Sequence, residues 1–302
     1  MARSDFLNSK LSVQISILIG KYLSRKFGYG FGRNVGALIA SMKNLEISRA
    51  IRANQYIANG MVNSSDELVE ISKNVLTHAG KCYVDLYQIY NKPELLDTYV
   101  PLTQTMKDFI DISQGDKGYL VVAPHLSNFD LVVSSLVKHG FLGKVLSFPN
   151  PGSGYQLQND IRESFGMDIL PLGDPNVEAE IVTHMRNGGI AATGIDRPVP
   201  DRKRRHYVKF FDKPSPMPLG YISTAIAADV PIIVVTAILE PDGTYGFRHS
   251  NPIVLNKYGN KLDDIRLNAE RVLKKVEEFI RLAPEQWLMY YPVWPDVLNE
   301  GL

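Results

Sequence analysis

The sequence predicts an α/β fold with a mostly parallel central sheet flanked by helices, preceded by a helical amino-terminal section. Two observations carry this. From residue 118 onward, short Val- and Ile-rich runs alternate with amphipathic stretches, the pattern of helices layered on a parallel sheet. Before residue 113, the apolar residues recur at helical spacing only. No repeat or low-complexity linker interrupts the 302 residues, 45% of which are hydrophobic, so one large core can be buried.

In chain order, residues 5–26 are expected as an amphipathic helix, with Leu7, Leu11, Ile15, Leu18 and Tyr22 on one face and Lys10, Lys21, Arg25 and Lys26 flanking it. Such a helix either lies in a membrane interface or docks on the core with its basic edge solvated. The run Gly28-Tyr29-Gly30-Phe31-Gly32 reads as a turn, since no strand precedes it and its spacing is not that of a phosphate loop. Helices follow at 34–43 and 45–60. Ser64 and Glu67 have capping-box spacing and start a long helix to about Tyr90. Pro93 and Pro101 punctuate the next connection, and a short helix runs to about Ile112.

Strands are then expected at 118–123, 143–148, 167–171, 189–195, 207–211 and 231–238, with helices at 128–139, 155–166, 175–187 and 216–228 between them. Short β-runs around 244–248 and 252–255 precede a last helix at 262–282.

Charge is unevenly spread. Residues 1–60 carry nine Lys or Arg against Asp5 and Glu46, a net of +7 on a chain whose total is +1. A basic amino-terminal section suits an anionic surface. No stretch reaches the ~20 apolar residues of a membrane-spanning helix, and no signal peptide is expected. Cys82 is the one cysteine, so an intrachain disulfide and a cysteine-based metal site are excluded.

The chemistry concentrates at strand ends. His125 follows the run Gly118–Pro124 at once, and Ser127 and Asn128 can cap the helix that follows. The carboxyl ends of parallel strands are where open α/β sheets build sites. In a continuous helix, residues five apart point about 140° away from each other. With His125 in the turn and Asp130 in the first helical turn, the two can meet, and the carboxylate can fix the tautomer of a general base. A capping Asp beside an incidental loop His is the other reading. Asp196 and Arg197 end a second apolar run and can reach the same crevice, or form a loop ion pair. Arg162 lies on a helix after a strand. Arg202, Lys203, Arg204, Arg205, His206 and Lys209 make a dense basic patch without the aromatic interleaving or recognition helix of a nucleic-acid binder. His78, His139, His184, His206 and His249 stand alone and read as surface or satisfied core residues. A Gly-x-Ser-x-Gly elbow, a Walker motif and a dinucleotide fingerprint are all lacking.

Together, these stretches resemble a known family. His125-Leu126-Ser127-Asn128-Phe129-Asp130 is similar to the H-x4-D/E box of the lysophospholipid and glycerophosphate acyltransferase superfamily. Arg49–Asn54 resembles the R-x4-N segment of one branch, the lipid A biosynthesis (lauroyl/myristoyl) acyltransferases and the mycobacterial phosphatidylinositol mannoside acyltransferase. Asn159–Arg162, Ile195-Asp196-Arg197, Val208–Gly220, Asp229–Ile233 and Pro284-Glu285-Gln286-Trp287 followed by Trp294 resemble further blocks of that branch. Asp212 stands where the family often has Gly, and Met289 where it often has an aromatic.

The resemblance implies a glycerol-3-phosphate acyltransferase-like fold over 1–302 as a single domain, with a membrane-proximal helical section at 1–112 and a catalytic core at 113–302. It implies transfer of a fatty acyl chain from acyl-ACP or acyl-CoA to a hydroxyl of a membrane lipid or glycolipid. His125, Asp130 and Asp196 are the implied catalytic residues, with His125 the base oriented by Asp130. Asn128, Arg162, Arg197, Arg202, Arg204 and Arg205 are the implied substrate-binding residues. No metal or cofactor is expected beyond the thioester co-substrate, and no nucleic acid. The expected location is the cytoplasmic face of the plasma (inner) membrane, peripheral or interfacial, on anionic lipid. A lipid hydrolase and a non-catalytic membrane lipid-binding protein are the competing classes.

Overall fold

The computed structural model describes residues 21–22, 24–147, 153–198 and 207–299. Most of the expected 5–26 helix and the basic loop around 202–206 lie outside the described residues. Five parallel strands form the body of one sheet: β1 (Tyr119–Ala123), β2 (Lys144–Ser147), β3 (Asp168–Pro171), β4 (Ile190–Gly194) and a later strand over Ile232–Leu239. A short antiparallel hairpin, β5 (Val208–Phe210) and β6 (Lys213–Ser215), intervenes, so the later strand is β7. β8 (Tyr245–His249) pairs antiparallel with β7 and closes the edge. The order across the sheet is β3-β2-β4-β1-β7-β8. The expected run at 252–255 contributes only a single bridge, Ile253 to Ile232.

Side chains of β1 and β7 alternate between two cores. Leu120, Val122, Ile232 and Val234 enter one; Val121, Ile233 and Val235 enter the other. The longer helices among the described residues are α1 (Arg25–Ser41), α2 (Glu46–Ala58), α3 (Ser65–Asn91), α4 (Gln104–Ser113), α5 (Phe129–Lys138), α6 (Ser153–Ser164), α7 (Pro175–Arg186), α8 (Gly220–Ala228) and α9 (Lys261–Leu282). α9 buries Val272, Leu273, Val276 and Ile280 on the first core; α4 and α5 bury Phe109, Leu131, Val132 and Leu136 on the second.

The glycine run is the clearest departure from expectation. Residues 28–32 continue helix α1 instead of turning. Gly28, Gly32 and Gly36 recur every four residues and face α3. A Cβ on Gly32 would lie 3.1 Å from the Gly80 Cα, and one on Gly36 would lie 2.8 Å from the Thr77 backbone nitrogen. The glycines are there to let two helix backbones approach, not to reverse the chain. Helix α3 carries the expected capping box of Ser64 and Glu67. A buried carboxylate ties α1 to the sheet: Asp85 accepts from Arg25 (2.9 and 2.8 Å), Tyr29 (2.6 Å) and Tyr245 on β8 (2.7 Å).

The carboxyl-terminal segment is stitched to α2 and the sheet by side-chain bonds to backbone. Asn54 donates to the carbonyls of Met289 (3.0 Å) and Tyr291 (2.8 Å) and accepts from the Val293 N–H (2.9 Å), while Arg49 donates to the Leu298 carbonyl (2.9 Å). Gln286 pairs with both backbone groups of Leu239 at the end of β7 (2.8 and 2.9 Å). Asp212 has φ +57°, the left-handed region in which glycine is at ease, so the family's frequent glycine there has a backbone reason.

Candidate active site

The site is built on the turn between β1 and α5. Ser127 in that turn has φ +52°, a conformation that costs a non-glycine residue about 1–3 kcal/mol. Several contacts hold it. The Leu126 N–H donates to the Pro124 carbonyl (2.7 Å), and the Ser127 N–H to that of Gln286 (2.8 Å). Leu126 forms an antiparallel bridge with Trp287, and the Leu288 N–H donates to the His125 carbonyl (2.8 Å). From the other side α3 contributes His78, 3.0 Å from the Ser127 hydroxyl, and the Cys82 carbonyl, which accepts from Asn128 (2.9 Å). Burial drives the His78 pKa down to about 3, so its ring is neutral at pH 7.

His125 is held by Asp196, not by Asp130. The imidazole Nδ1 lies 2.5 Å from one Asp196 oxygen. The other oxygen accepts from the His125 backbone N–H (2.9 Å) and the Trp287 indole N–H (2.7 Å). Strand order explains the pairing: β1 and β4 are parallel neighbours in register, Ala123 opposite Gly194, so the residues just past their ends meet. Asp196 is fully buried, whereas the His125 side chain is 36% exposed. Burial opposes a charged ring, but the Asp196 charge and hydrogen bond outweigh it and hold the His125 pKa above its ordinary value, with Arg197 and Arg162 working against them. Burial likewise opposes a charged Asp196, and His125, the indole and the backbone donor overcome it, leaving its pKa below the ordinary carboxylate value. With Nδ1 taken, Nε2 is the ring nitrogen free to work as a base. Gly194 makes room for it: a Cβ there would sit 3.0 Å from the ring's Cε1.

The expected His125–Asp130 pair is therefore not formed. Both Asp130 oxygens face Arg162, at 2.7 Å from Nε and 3.2 Å from Nη2. Arg162 is 6% exposed, also donates to Asn159 Oδ1 (2.8 Å), and sits between the rings of Phe129 and Tyr155. A guanidinium committed in this way props the wall of the site. Asn128, expected to bind substrate, is buried, and its NH2 donates to the Cys82 carbonyl. Arg197 is half-buried beside the dyad, its guanidinium 4.0 Å from the Tyr291 ring centroid. Arg202, Arg204 and Arg205 lie outside the described residues. Of the isolated histidines, His139, His184 and His249 bond backbone carbonyls. Among the described residues no cluster of three or more His, Cys, Asp or Glu is placed to hold a metal ion.

From the dyad a cavity runs beneath α5, along the sheet. Asp130, Arg162, Ser147 and Thr193 give it polar points near the dyad; Val121, Val132, Leu136, Ala192, Phe109 and Phe141 are among its apolar lining. It can accept a group with one reactive polar end and a long apolar body. Trp287 and Gly194 belong to this site as much as His125 does. In the sequence Trp287 falls in a motif that carries no assigned role, and Gly194 reads as a strand residue.

The sequence matches the model of the family described as bacterial lipid A biosynthesis acyltransferase over residues 27–295. It is also similar to a phosphatidylinositol mannoside acyltransferase of Mycobacterium tuberculosis, in strains H37Rv and CDC 1551, at 26% identity over 187 residues. That alignment covers 61% of this chain, and it spans 57% of the length of the relatives it matches. The dyad, the turn that carries it and the motif that clamps the turn all fall inside the matched span, and the chain belongs to the bacterial lipid A biosynthesis acyltransferase family.

Proposed function

We propose that this protein moves a fatty acyl chain from an acyl carrier protein or coenzyme A thioester to a hydroxyl of a membrane glycolipid, with His125 as the general base and Asp196 as its orienting carboxylate. The observation that carries the reading is the His125–Asp196 dyad at the mouth of a largely apolar cavity. In the reaction, Nε2 takes the acceptor hydroxyl proton as the oxygen attacks the thioester carbonyl. A C–O bond forms, the tetrahedral oxyanion collapses, the C–S bond breaks, and the thiolate takes the proton back from Nε2. A base so placed contributes about 10²–10⁴-fold. The first-turn N–H groups of α5, which have no intrahelical partner, are the oxyanion donors in this scheme. The acyl chain occupies the cavity. In this scheme Arg197, beside the dyad, meets the phosphate-bearing part of donor or acceptor, and the basic composition of 202–205 suits the same charge.

The membrane supplies the acceptor. None of the described helices is long and apolar enough to cross a bilayer. Helix α1 exposes Phe27, Phe31 and Leu38, and Met42 just beyond it is exposed too, in the basic amino-terminal section, the dress of an element that lies at an anionic interface. The peripheral, cytoplasmic-face location follows from this mode of attachment and from a thioester donor made inside the cell. The test is transfer of a radiolabelled acyl group from a thioester to a membrane glycolipid fraction, wild type against His125→Ala. Labelled lipid formed by the wild type and reduced at least a hundredfold in the variant supports the reading; labelled free acid alone marks a hydrolase, and neither product marks a binding protein.

A further inference from the structure

The cavity beside the dyad has a neighbour. A broader cleft opens at the opposite end of the sheet, lined by Gln114, Val137, Leu142, Gly143, Gly166 and Lys144, among others. One side chain lines both spaces: Phe141. It sits in the connection from α5 to β2, at the level where the strands begin, while His125 sits where β1 ends. The four steps along the five residues of β1 separate these levels, ~13 Å at ~3.3 Å per step.

Phe141 is held as a partition. It is buried, stacks on Phe109 with ring centroids 5.5 Å apart and planes 13° apart, and Phe109 in turn packs on Phe247 at 5.0 Å. All three rings line the cavity. Behind Phe141 the chain has Gly143, and a Cβ there would stand 2.8 Å from the ring's Cε1 and 2.9 Å from its Cζ. The missing side chain at 143 is what lets the ring lie where it does. Leu142, between them, points its side chain outward and is 65% exposed.

We infer that Phe141 is the floor of the acyl cavity and sets the longest chain the enzyme accepts, with Gly143 fixing how deep that floor lies. The inference rests on the acyl-cavity reading above. The far end of an alkyl chain seated with its carbonyl at His125 abuts the Phe141–Phe109 stack. Beyond it lies open space, so removal of the ring lengthens the cavity instead of leaving a closed void. A methyl group at 143 pushes the ring the other way, into the cavity. Each further methylene taken from water adds roughly fourfold in affinity, so a small movement of the floor displaces the length optimum visibly.

The test is displacement of a fluorescent polyene fatty acid from the purified protein by a ladder of even-numbered saturated fatty acids, for wild type, Phe141→Ala, Phe141→Leu and Gly143→Ala, with circular dichroism as the check on folding. Phe141→Ala is expected to gain about fifteenfold for the acid two carbons beyond the wild-type optimum, Phe141→Leu less, and Gly143→Ala to move the optimum shorter. Wild-type protein that binds no fatty acid overturns the acyl-cavity reading itself. Folded variants with an unmoved optimum, while the wild type binds, overturn only the role of Phe141. If Phe141→Ala does not fold, the opposed shifts of Phe141→Leu and Gly143→Ala decide in its place.

Discussion

Asp196→Asn is the substitution that separates the two carboxylates most sharply. The Asp196 oxygen opposite the imidazole accepts two donors, the His125 backbone N–H at 2.9 Å and the Trp287 indole at 2.7 Å. An asparagine in that place must turn its carbonyl oxygen to those two donors, because its NH2 would face them donor to donor. The NH2 is then left against the imidazole Nδ1, which must accept. Nδ1 loses its proton, Nε2 gains one, and the nitrogen facing the cavity can no longer take a proton from the acceptor. The shape of the site is unchanged, so the loss falls on turnover. Its size is on the order of 10³–10⁴-fold in kcat, or about 4–5.5 kcal/mol of barrier. The pH profile moves as well. In the wild type the raised His125 pKa puts the acid limb above the ordinary histidine value of about 6.5. Activity needs the neutral ring and is lost as pH falls through that raised value. Without the carboxylate, the limb shifts to lower pH. Steady-state kinetics against pH, with the imidazole ¹⁵N shifts read by NMR for the tautomer, measure both. Turnover of Asp196→Asn within tenfold of wild type, or a ring that keeps its Nδ1 proton, would refute this reasoning.

Asp130→Asn is expected to cost less activity than Asp196→Asn but more stability, because it leaves the Arg162 guanidinium buried with a weakened partner; removing one side of a buried pair costs about 3–5 kcal/mol, read as a fall in Tm. Trp287→Phe keeps a ring in the core and removes one donor to Asp196, and about a tenfold drop in kcat with near-native Tm is the expected result. His78 contributes an acid-labile element: its folded pKa is about 3. From the unfolded value of ~6.5 downward, the unfolded chain holds a proton that the folded chain refuses, so stability falls with pH by up to ~1.4 kcal/mol per unit. Denaturant titrations of His78→Gln should show a shallower acid limb. Flotation with vesicles containing anionic lipid should bring the protein to the membrane fraction, and added salt should release it; salt-insensitive absence of binding contradicts the interfacial reading.

The position of the site was legible from local pattern. A Val-rich run ending at Pro124 announces a buried strand end, and His125 follows it directly. The base's partner was not legible, because nearness in sequence favoured Asp130. Asp196 becomes the neighbour only because β4 lies beside β1 in the sheet order, a long-range fact that no local pattern carries. The same holds for Arg162, whose partner Asp130 lies 32 residues away, one strand over. Element existence in the α/β section followed periodicity closely, while Gly28, Gly30 and Gly32 misled. Glycine suits turns, but it also suits close helix contact, and the choice depends on Gly80 of a helix that begins at residue 65. Clamps such as Asn54 on the 289–293 backbone and Gln286 on Leu239 join segments far apart in the chain. Their motifs could be noticed in sequence, and their structural work could not.

The central claim is acylation of a membrane glycolipid by a base at His125. Comparative mass spectrometry of total lipids tests it most directly, from cells lacking the protein and from the same cells given either the wild type or His125→Ala. The expected result is a glycolipid that carries one more acyl chain with the wild type than with the variant or with none, and a matching rise of the under-acylated form in the latter two. Identical lipid profiles in all three, or full acylation with His125→Ala, would contradict it.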